Sequence, residues 1–199
     1  MTTWTWIFVL LAGGLFTIKM TYVLCTALVL PVTQGALYVS TSQVRISSFI
    51  EAVPMNPGQL LVDLGCGDGR VLRGVRKAYG ARAIGYEINP FAYLRARLQC
   101  LGVNGVEVRW RNFWNADLSD ADVVFCYLFP DVMKSLSAKL RSDLKAGALV
   151  VSCNFNLPGF SPDRILRPGN TLHNDPIYIY RVHERGTVVD QRGFVGMTS

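Results

Sequence analysis

The sequence predicts an α/β domain, a mainly parallel β-sheet with helices on both faces, preceded by an N-terminal transmembrane helix. Three features support this fold class. A short apolar run passes through a glycine-rich turn into a helix over residues 60–80, and a second short strand ends in Glu87. Residues 4–32 are almost uncharged. A chain of 199 residues is long enough for one well-buried domain with an appendage.

The N-terminal segment, residues 4–32, has Lys19 as its only charged residue and is long enough to cross a bilayer as a helix that ends near Pro31. A lysine near mid-bilayer costs about 2.5–3.5 kcal/mol on insertion scales, which the apolar neighbours can offset. The alternative is a helix that lies in the membrane interface. Because no Lys or Arg precedes the segment and many follow it, the remaining chain is expected on the cytoplasmic side.

The composition favours a membrane surface over nucleic acid as a partner, and it disfavours metal sites and a disulfide framework. The net charge of +6 suits an anionic membrane surface better than nucleic acid, because no run of Lys or Arg alternates with aromatic residues. The five cysteines form no C-x-x-C pair, and we interpret them as reduced, buried thiols. We therefore expect no metal site, no disulfide framework and no nucleic-acid partner.

The central motif reads LLVDLGCGDGR over residues 60–70. Its first three residues are the apolar run of a parallel strand buried on both faces. Glycines then allow a sharp turn and a close backbone approach to a ligand. Asp68 is predicted to cap the following helix, which runs to about Tyr79 and ends at Gly80. The expected inward positions of this helix are Leu72, Val75 and Tyr79.

The glycine spacing and the acids indicate the kind of ligand. The turn reads G-x-G-x-G, whereas a dinucleotide fingerprint requires G-x-G-x-x-G. Asp63 and Asp68 beside the turn would repel a pyrophosphate and suit a cationic amino-acid group. Glu87 ends the next strand, 20 residues beyond Gly67, where a carboxylate can accept both ribose hydroxyls. The alternative is an ordinary glycine-rich turn beside a surface acid.

The segment before this motif, residues 35–57, contains an extended stretch and a helix capped by Thr41 or Ser42 and running to about Val53. Two interpretations remain open: a simple linker, or a segment that folds over the ligand and offers hydroxyls to its carboxylate. The predicted inward positions of the helix are Val44, Phe49 and Ile50.

After Glu87 a helix is predicted from Asn89-Pro90 to Gly102, followed by a third strand at 106–110. Asn112 lies beyond that strand, and its amide oxygen can accept a hydrogen bond from a base amino group; Asp117 is the alternative. The predicted buried stripe of the helix is Phe91, Leu94, Leu98 and Leu101.

The second half of the chain is predicted to complete the sheet. Its elements are a strand at 121–127, a helix at 131–144, a strand at 147–153, a loop in place of the next helix, antiparallel strands at 164–166 and 177–182, and a weakly ordered tail at 186–199. Because ligands bind at the carboxyl ends of parallel strands, Tyr127 and Phe129 could line a channel for an alkyl amine. The alternative places both aromatic side chains in the core. Phe155 lies where the fifth strand opens toward the same edge.

Together these motifs resemble a family, the small membrane-anchored protein lysine methyltransferases, which includes the enzymes that modify the ATP synthase c-subunit and the adenine nucleotide translocase and has prokaryotic members. The resemblance covers roughly residues 5 to 183. Ser40 stands where the family usually has proline, and Asn112 stands where it usually has an acid. The motifs that carry the resemblance are the apolar helix, YVSTS, VDLGCGDGR, GYEINP, RNFW, YLFP and CNFNLP.

The resemblance implies a Rossmann-like class I methyltransferase fold over residues 58–185 and S-adenosylmethionine (SAM) as cofactor. The expected partners are the lipid bilayer and a membrane protein that presents a lysine, at a prokaryotic plasma membrane. A lipid or small-molecule methyltransferase and a non-catalytic SAM-binding module are the alternatives. The expected acceptor-side residues are Tyr127, Phe129 and Phe155. The expected cofactor-binding residues are Thr41, Asp63, Gly65, Cys66, Gly67, Asp68, Gly69, Glu87, Ile88, Asn112 and Phe113.

Overall fold

Seven strands form one sheet in the computed structural model, which describes residues 3–29, 41–168, 175–183, 187–189 and 195–197. The strands are β1 (Leu60–Leu64), β2 (Arg82–Glu87), β3 (Val106–Trp110), β4 (Val123–Cys126), β5 (Leu149–Cys153), β6 (Arg164–Leu166) and β7 (Ile177–Arg181). Their order is β3-β2-β1-β4-β5-β7-β6. The first five are parallel, and β7 pairs antiparallel with both β5 and β6. This mixed sheet confirms the predicted fold class.

Helices cover both faces of the sheet. The covering helices are α2 (Gln43–Ala52), α3 (Arg70–Tyr79), α4 (Pro90–Gln99) and α5 (Met133–Asp143), and α1 (Thr3–Val29) precedes them in the chain. The side chains of β1 alternate between two cores: Leu61 packs with α2 and α3, whereas Val62 and Leu64 pack with α5. Because both faces are covered, all five residues of β1 are buried, as its apolar run predicted.

The N-terminal helix α1 stands apart from these two cores. Its segment Thr3–Leu24 is 22 residues long with mean hydropathy 1.9, and is therefore long and apolar enough to cross a membrane, judged by length and composition. Residues 30–40, which include the first six residues (35–40) of the segment predicted to fold over the ligand, lie outside the described residues.

Several predicted helix ends are confirmed. Ser42 caps α2, Asn89 caps α4 by accepting hydrogen bonds from Phe91 N and Ala92 N, and Gly80 ends α3 with a φ of 66°. Asp68 was predicted to cap α3, and that prediction is wrong. The capping residue is Gly69, with a φ of 73° and no side-chain hydrogen bond. Asp68 lies one residue earlier and pairs with Arg70 instead.

The predicted buried stripe of α4 is also wrong, and α4 ends at Gln99, before Gly102. Ala92 and Ala96 face inward, whereas Leu94, Leu98 and Leu101 are 55%, 65% and 78% exposed. The reason is a close approach: Ala96 Cβ and Cys100 Sγ lie 3.5 and 2.9 Å from the place where a Cβ on Gly69 would lie. Only small side chains fit between α4 and the glycine turn.

Three smaller differences concern other elements. Val44 is exposed, and Ile46 and Arg45 face inward on α2 in its place. The helix predicted at 131–144 begins with a 3₁₀ turn, Pro130–Val132. The tail, predicted to be weakly ordered, contains a two-stranded antiparallel pair, Thr187–Val189 with Val195–Met197, whose β-branched residues favour strands.

A tight contact between β2 and the glycine turn leads to a stability prediction. A Cβ on Gly85 would lie 2.6 Å from Cys66 Cβ and from Leu72 Cδ1. We expect Gly85→Ala to destabilise the domain by about 1–3 kcal/mol through overpacking, measured as a lower Tm in detergent. Gly58→Ala is the control, because among the described residues no atom beyond its two chain neighbours lies within 4 Å of that added methyl. Equal Tm values for the two variants would contradict this packing.

Candidate active site

A pocket lies at the carboxyl ends of the parallel strands, where β1 and β4 meet the glycine turn. Its described lining comprises residues 65–68 of the turn together with Thr41, Asp63, Arg70, Val71, Phe125 and Tyr127. Strand register explains part of this grouping, because Asp63 on β1 lies opposite Gly85 on β2 and Phe125 on β4. The fold thus brings most of the predicted ligand-binding residues to one edge of the sheet.

The glycine turn is built from left-handed backbone and anchored to β2. Gly65 and Gly67 have φ values of 86° and 56°, which residues with a side chain rarely adopt. The backbone N–H groups of Gly65 and Cys66 both donate to the carbonyl of Tyr86, at 2.9 and 3.0 Å. The turn therefore holds bare backbone at the pocket in a fixed position.

Glu87 joins the end of β2 to this turn. Its Oε2 accepts a hydrogen bond from Gly67 N at 2.9 Å, and its Oε1 accepts from Ile88 N and Asn89 N at 2.9 and 2.8 Å. A carboxylate offers about four acceptor positions, so about one remains for a ligand hydroxyl. A second hydroxyl would have to replace a backbone donor. Burial raises the pKa of Glu87, and the three backbone hydrogen bonds oppose that rise.

Of the three acids near the pocket, Asp63 has the carboxylate whose charge is least compensated by neighbouring donors and cations. Its side chain is 2% exposed, and burial together with the charges of Glu87 and Asp68 raises its pKa well above the usual value. Three carboxylates converge here, which disfavours an anionic ligand group and favours a cationic one.

Asp68 already has a cationic partner. Its Oδ1 accepts from Arg70 Nε at 2.9 Å and its Oδ2 from Arg70 Nη2 at 2.7 Å. Although burial opposes its ionisation, these bonds and the charge of Arg70 lower the pKa of Asp68. Arg70 Nη1 also donates to the carbonyl of Thr41 at 3.0 Å, which ties the segment before α2 to the turn. Asp68 therefore organises the site, and Asp63 is the better candidate to meet a ligand ammonium.

The predicted base-binding residues follow β2 and β3. Asn112 caps the 3₁₀ turn Phe113–Asn115, with its Oδ1 accepting from Trp114 N at 3.0 Å. That oxygen retains one further acceptor position. The ring of Phe113 packs against Trp114 with centroids 4.8 Å apart, and the carbonyl of Ile88 accepts from Trp110 Nε1. Asp117, the alternative to Asn112, is exposed.

On the other side of the pocket, Tyr127 is held by two side chains. Its hydroxyl accepts from Arg45 Nη1 at 3.0 Å and from Asn154 Nδ2 at 3.2 Å, which leaves its own proton free to be donated. Arg45 also lies over the Tyr127 ring, 5.2 Å from the centroid, and pairs with Asp175. Asn154 has a φ of 69°, and its buried Oδ1 has no hydrogen-bond partner within the described part of the chain.

The other two predicted acceptor-side aromatics are not part of the described pocket lining. Phe155 packs against the core on the α5 side of the sheet, and Phe129 precedes the 3₁₀ turn Pro130–Val132 as a half-buried residue. Of the three, Tyr127 is the residue that the structure places at the pocket.

Sequence reasoning missed the two arginines of this site. Arg45 is 5% exposed although it lies on a short surface helix, and its neighbours Ile46 and Phe49 are buried too. A charged residue between apolar inward positions was the available signal. Arg70 carried no such signal, because a basic residue after a glycine turn is ordinary on a helix.

The residues present fit a nucleoside that carries a cationic amino-acid group. Left-handed glycines expose backbone, Asp63 offers a buried acid, and Glu87 stands at the end of β2. The fold and this site define a SAM-dependent methyltransferase. A crystal structure of an RNA methyltransferase from Salinibacter ruber in complex with S-adenosyl-L-homocysteine is 32% identical, has a TM-score of 0.68, and is matched over 74% of this chain and 95% of its own.

The sequence comparisons identify the family. The family model described as the ANTKMT methyltransferase domain matches residues 63–164, and the chain belongs to this family of protein-lysine methyltransferases. A protein-lysine N-methyltransferase of Saccharolobus islandicus is 32% identical over 152 residues, covering 74% of this chain and 94% of the relative. The mouse adenine nucleotide translocase lysine N-methyltransferase is 32% identical over 159 residues, covering 78% and 67%. The human lysine N-methyltransferase of the ATP synthase c-subunit is 30% identical over 173 residues, covering 84% and 72%.

The raised pKa of Asp63 predicts a pH dependence of SAM binding. The ligand ammonium favours the ionised carboxylate, whereas the empty site favours the protonated form, so binding releases a proton. We expect SAM affinity to increase as the pH rises toward about 7, a range in which the ligand α-amino group stays protonated. Calorimetry in buffers of different ionisation enthalpy measures both the affinity and the released proton. Asp63→Asn should remove this slope; an identical slope in that variant would contradict the role of Asp63.

The backbone contacts of Glu87 predict the effect of Glu87→Gln. In this variant the side chain loses its negative charge. Its amide N–H group then faces at least one of the backbone N–H groups that donate to the carboxylate of Glu87. Hydrogen bonds to charged groups contribute about 1.5–3 kcal/mol, so we expect SAM affinity to fall about ten- to a hundredfold. Glu107→Gln is the matched control, because the Glu107 side chain is 53% exposed and pairs with Arg109 on β3. Equal SAM affinity for both variants would show that Glu87 does not shape the cofactor site.

Proposed function

We propose that this enzyme transfers a methyl group from SAM to the side-chain amine of a lysine in a membrane-associated protein, with its catalytic domain on the cytoplasmic side of a prokaryotic plasma membrane. The observation that carries the proposal is the match, over most of the chain, to relatives named as protein-lysine N-methyltransferases. The apolar helix α1 supports the membrane part, since its length and hydropathy suit a bilayer.

The cofactor side of the proposal rests on the carboxyl ends of β1 and β2. SAM supplies a methyl group on a positively charged sulfur. We propose that Asp63 holds the amino group of the cofactor, that the backbone of Gly65–Gly69 accommodates its amino-acid end, and that Glu87 accepts a ribose hydroxyl. Ile88, Asn112 and Phe113 then surround the base. Thr41 and Cys66 complete the wall, and Asp68 acts through Arg70.

On the acceptor side, we propose that Tyr127 meets the lysine. A lysine amine must be neutral to use its lone pair, and a buried positive charge nearby lowers an amine pKa. The Arg45 guanidinium lies beside Tyr127, but its pairing with Asp175 reduces this effect, so removal of the amine from water contributes the rest of the pKa decrease. Phe129 and Phe155 remain candidates for the outer part of the channel.

Hydrogen bonding supports the same position. The buried Asn154 Oδ1, next to the Tyr127 hydroxyl, has no partner among the described residues. An unsatisfied buried acceptor is unfavourable, and an N–H of an incoming amine would satisfy it. The neutral nitrogen then attacks the methyl carbon in line with the C–S bond, the bonding pair stays on sulfur, and the displaced N–H proton leaves to solvent. Alignment in a dry channel is the main catalytic contribution.

The test is to incubate the purified full chain with methyl-labelled SAM and membranes from its own host that lack the gene. We expect label in a protein band that yields methyllysine after acid hydrolysis. Label confined to the lipid extract would instead make the protein a lipid methyltransferase. Label in RNA would agree with the name of the Salinibacter ruber structure and also contradict the proposal. No label despite SAM binding would favour a non-catalytic module.

The two hydrogen bonds to Tyr127 predict the phenotype of Tyr127→Phe. The change leaves two buried donors, Arg45 Nη1 and Asn154 Nδ2, without an acceptor. An unsatisfied buried group costs about 1–3 kcal/mol of folding stability, so we expect a lower Tm, and we expect kcat to fall about tenfold because the acceptor side loses its fixed geometry. Calorimetric SAM affinity should change far less than kcat. Tyr178→Phe on β7, outside the described pocket lining, is the control. A kcat equal to that of this control would contradict the proposed contact.

A further inference from the structure

The outer face of α4 is apolar and exposed. It consists of Leu94 and Leu98 on α4 together with Leu101, which follows the end of the helix; they are 55%, 65% and 78% exposed, and we call these three residues the α4 face. Trp110 borders it at 62% exposure, with its ring stacked on Tyr93 at a centroid distance of 6.0 Å. The spacing of four residues places Leu94 and Leu98 on one side of the helix. A contiguous apolar surface of this kind marks an interaction site.

The same helix begins beside the N-terminal helix. The ring of Phe91, the second residue of α4, lies 5.4 Å from the ring of Tyr22 in α1. Trp4 and Tyr22 are 18 residues apart on α1, a segment of about 27 Å of helix, which is close to the thickness of the apolar layer of a bilayer. If that segment crosses a bilayer, α4 starts at the level where α1 leaves the apolar layer, which is where amphipathic helices and tryptophan side chains settle.

The charges on α4 agree with a lipid surface. Arg95 and Arg97 are exposed, and they flank the leucines. Basic residues next to an apolar helix face are attracted to anionic headgroups, and the chain carries a net charge of +6. A second copy of the chain would bring the same arginines together, which disfavours that occupant.

We propose that the α4 face inserts into the interfacial layer of an anionic bilayer, next to the point where α1 emerges, and thereby holds the domain in one orientation against the membrane. The proposal rests on the membrane attachment proposed above. The amino end of α4 and the cofactor pocket lie at the same edge of the sheet, since Asn89 follows β2 directly. The docked enzyme therefore reaches lysines close to the membrane surface and not those of distant soluble segments.

Lipid quenching of Trp110 tests this docking without requiring catalysis. The four tryptophans are reduced to one by Trp4→Phe, Trp6→Phe and Trp114→Phe in the full chain. This reference protein is reconstituted into vesicles of phosphatidylcholine and phosphatidylglycerol that contain lipids brominated in the acyl chain. We expect strong quenching of Trp110, and loss of most of it in the Leu94→Gln, Leu98→Gln, Leu101→Gln variant. SAM affinity in detergent should be unchanged, because these side chains are exposed.

Two matched single substitutions show which surface is responsible for the quenching of Trp110. Leu98→Gln should weaken quenching, whereas Ile165→Gln should not, because Ile165 is 51% exposed on β6 at the opposite edge of the sheet. Absence of quenching in the reference protein would overturn the proposal. Quenching that the triple variant retains would also overturn it, because tethering by α1 alone would then explain the proximity. Cross-linked dimers in place of quenching would assign the face to a second copy. None of these outcomes depends on whether lysine is the methyl acceptor.

Discussion

The site depends on one buried carboxylate, Glu87, which connects the second strand to the glycine turn. Its two oxygens accept three backbone N–H groups, one from Gly67 and two from the start of the segment that leads into α4. Because these donors are backbone groups at fixed positions, the acceptor must lie where the Glu87 carboxylate lies, and few neighbouring side chains could replace it. The turn and the amino end of α4 therefore share one anchor, which under the proposed function also meets the ribose of the cofactor.

The negative charges of the two aspartates near Glu87 are not equally compensated. Asp68 is neutralised by Arg70, while Asp63 faces the pocket under the influence of Glu87 and Asp68. Under the proposed function, a cationic cofactor relieves this repulsion. On the far side of Tyr127, Arg45 is paired with Asp175, so its charge is balanced there. An acidic pocket beside a charge-balanced acceptor side suits the two groups that meet in the proposed reaction, a positively charged methyl donor and an amine that has to be neutral.

Sequence reasoning reached the fold because local patterns encode it, whereas the cofactor-binding residues that it named stay predictions. Apolar runs predicted the parallel strands, and the spacing from Gly67 to Glu87 predicted one strand–helix unit. The contacts of Arg45 with Tyr127 and Asp175 could not be predicted in this way, since they join residues 82 and 130 positions apart. The capping residue of α3 could not be predicted either. Gly69 takes the left-handed conformation and occupies the capping position, and Asp68 pairs with Arg70.

The error on α4 has a physical origin that also explains its exposed face. A helix packed on a layer of strands usually turns its large apolar residues inward, and the pattern of Phe91, Leu94, Leu98 and Leu101 satisfied that rule. Here the layer beneath α4 includes the glycine turn, which approaches so closely that only Ala92, Ala96 and Cys100 fit. The backbone proximity that forms the cofactor site thus forces the leucines outward. An apolar face on this helix is then a consequence of that close packing, and the docking proposed above would use it at a membrane surface.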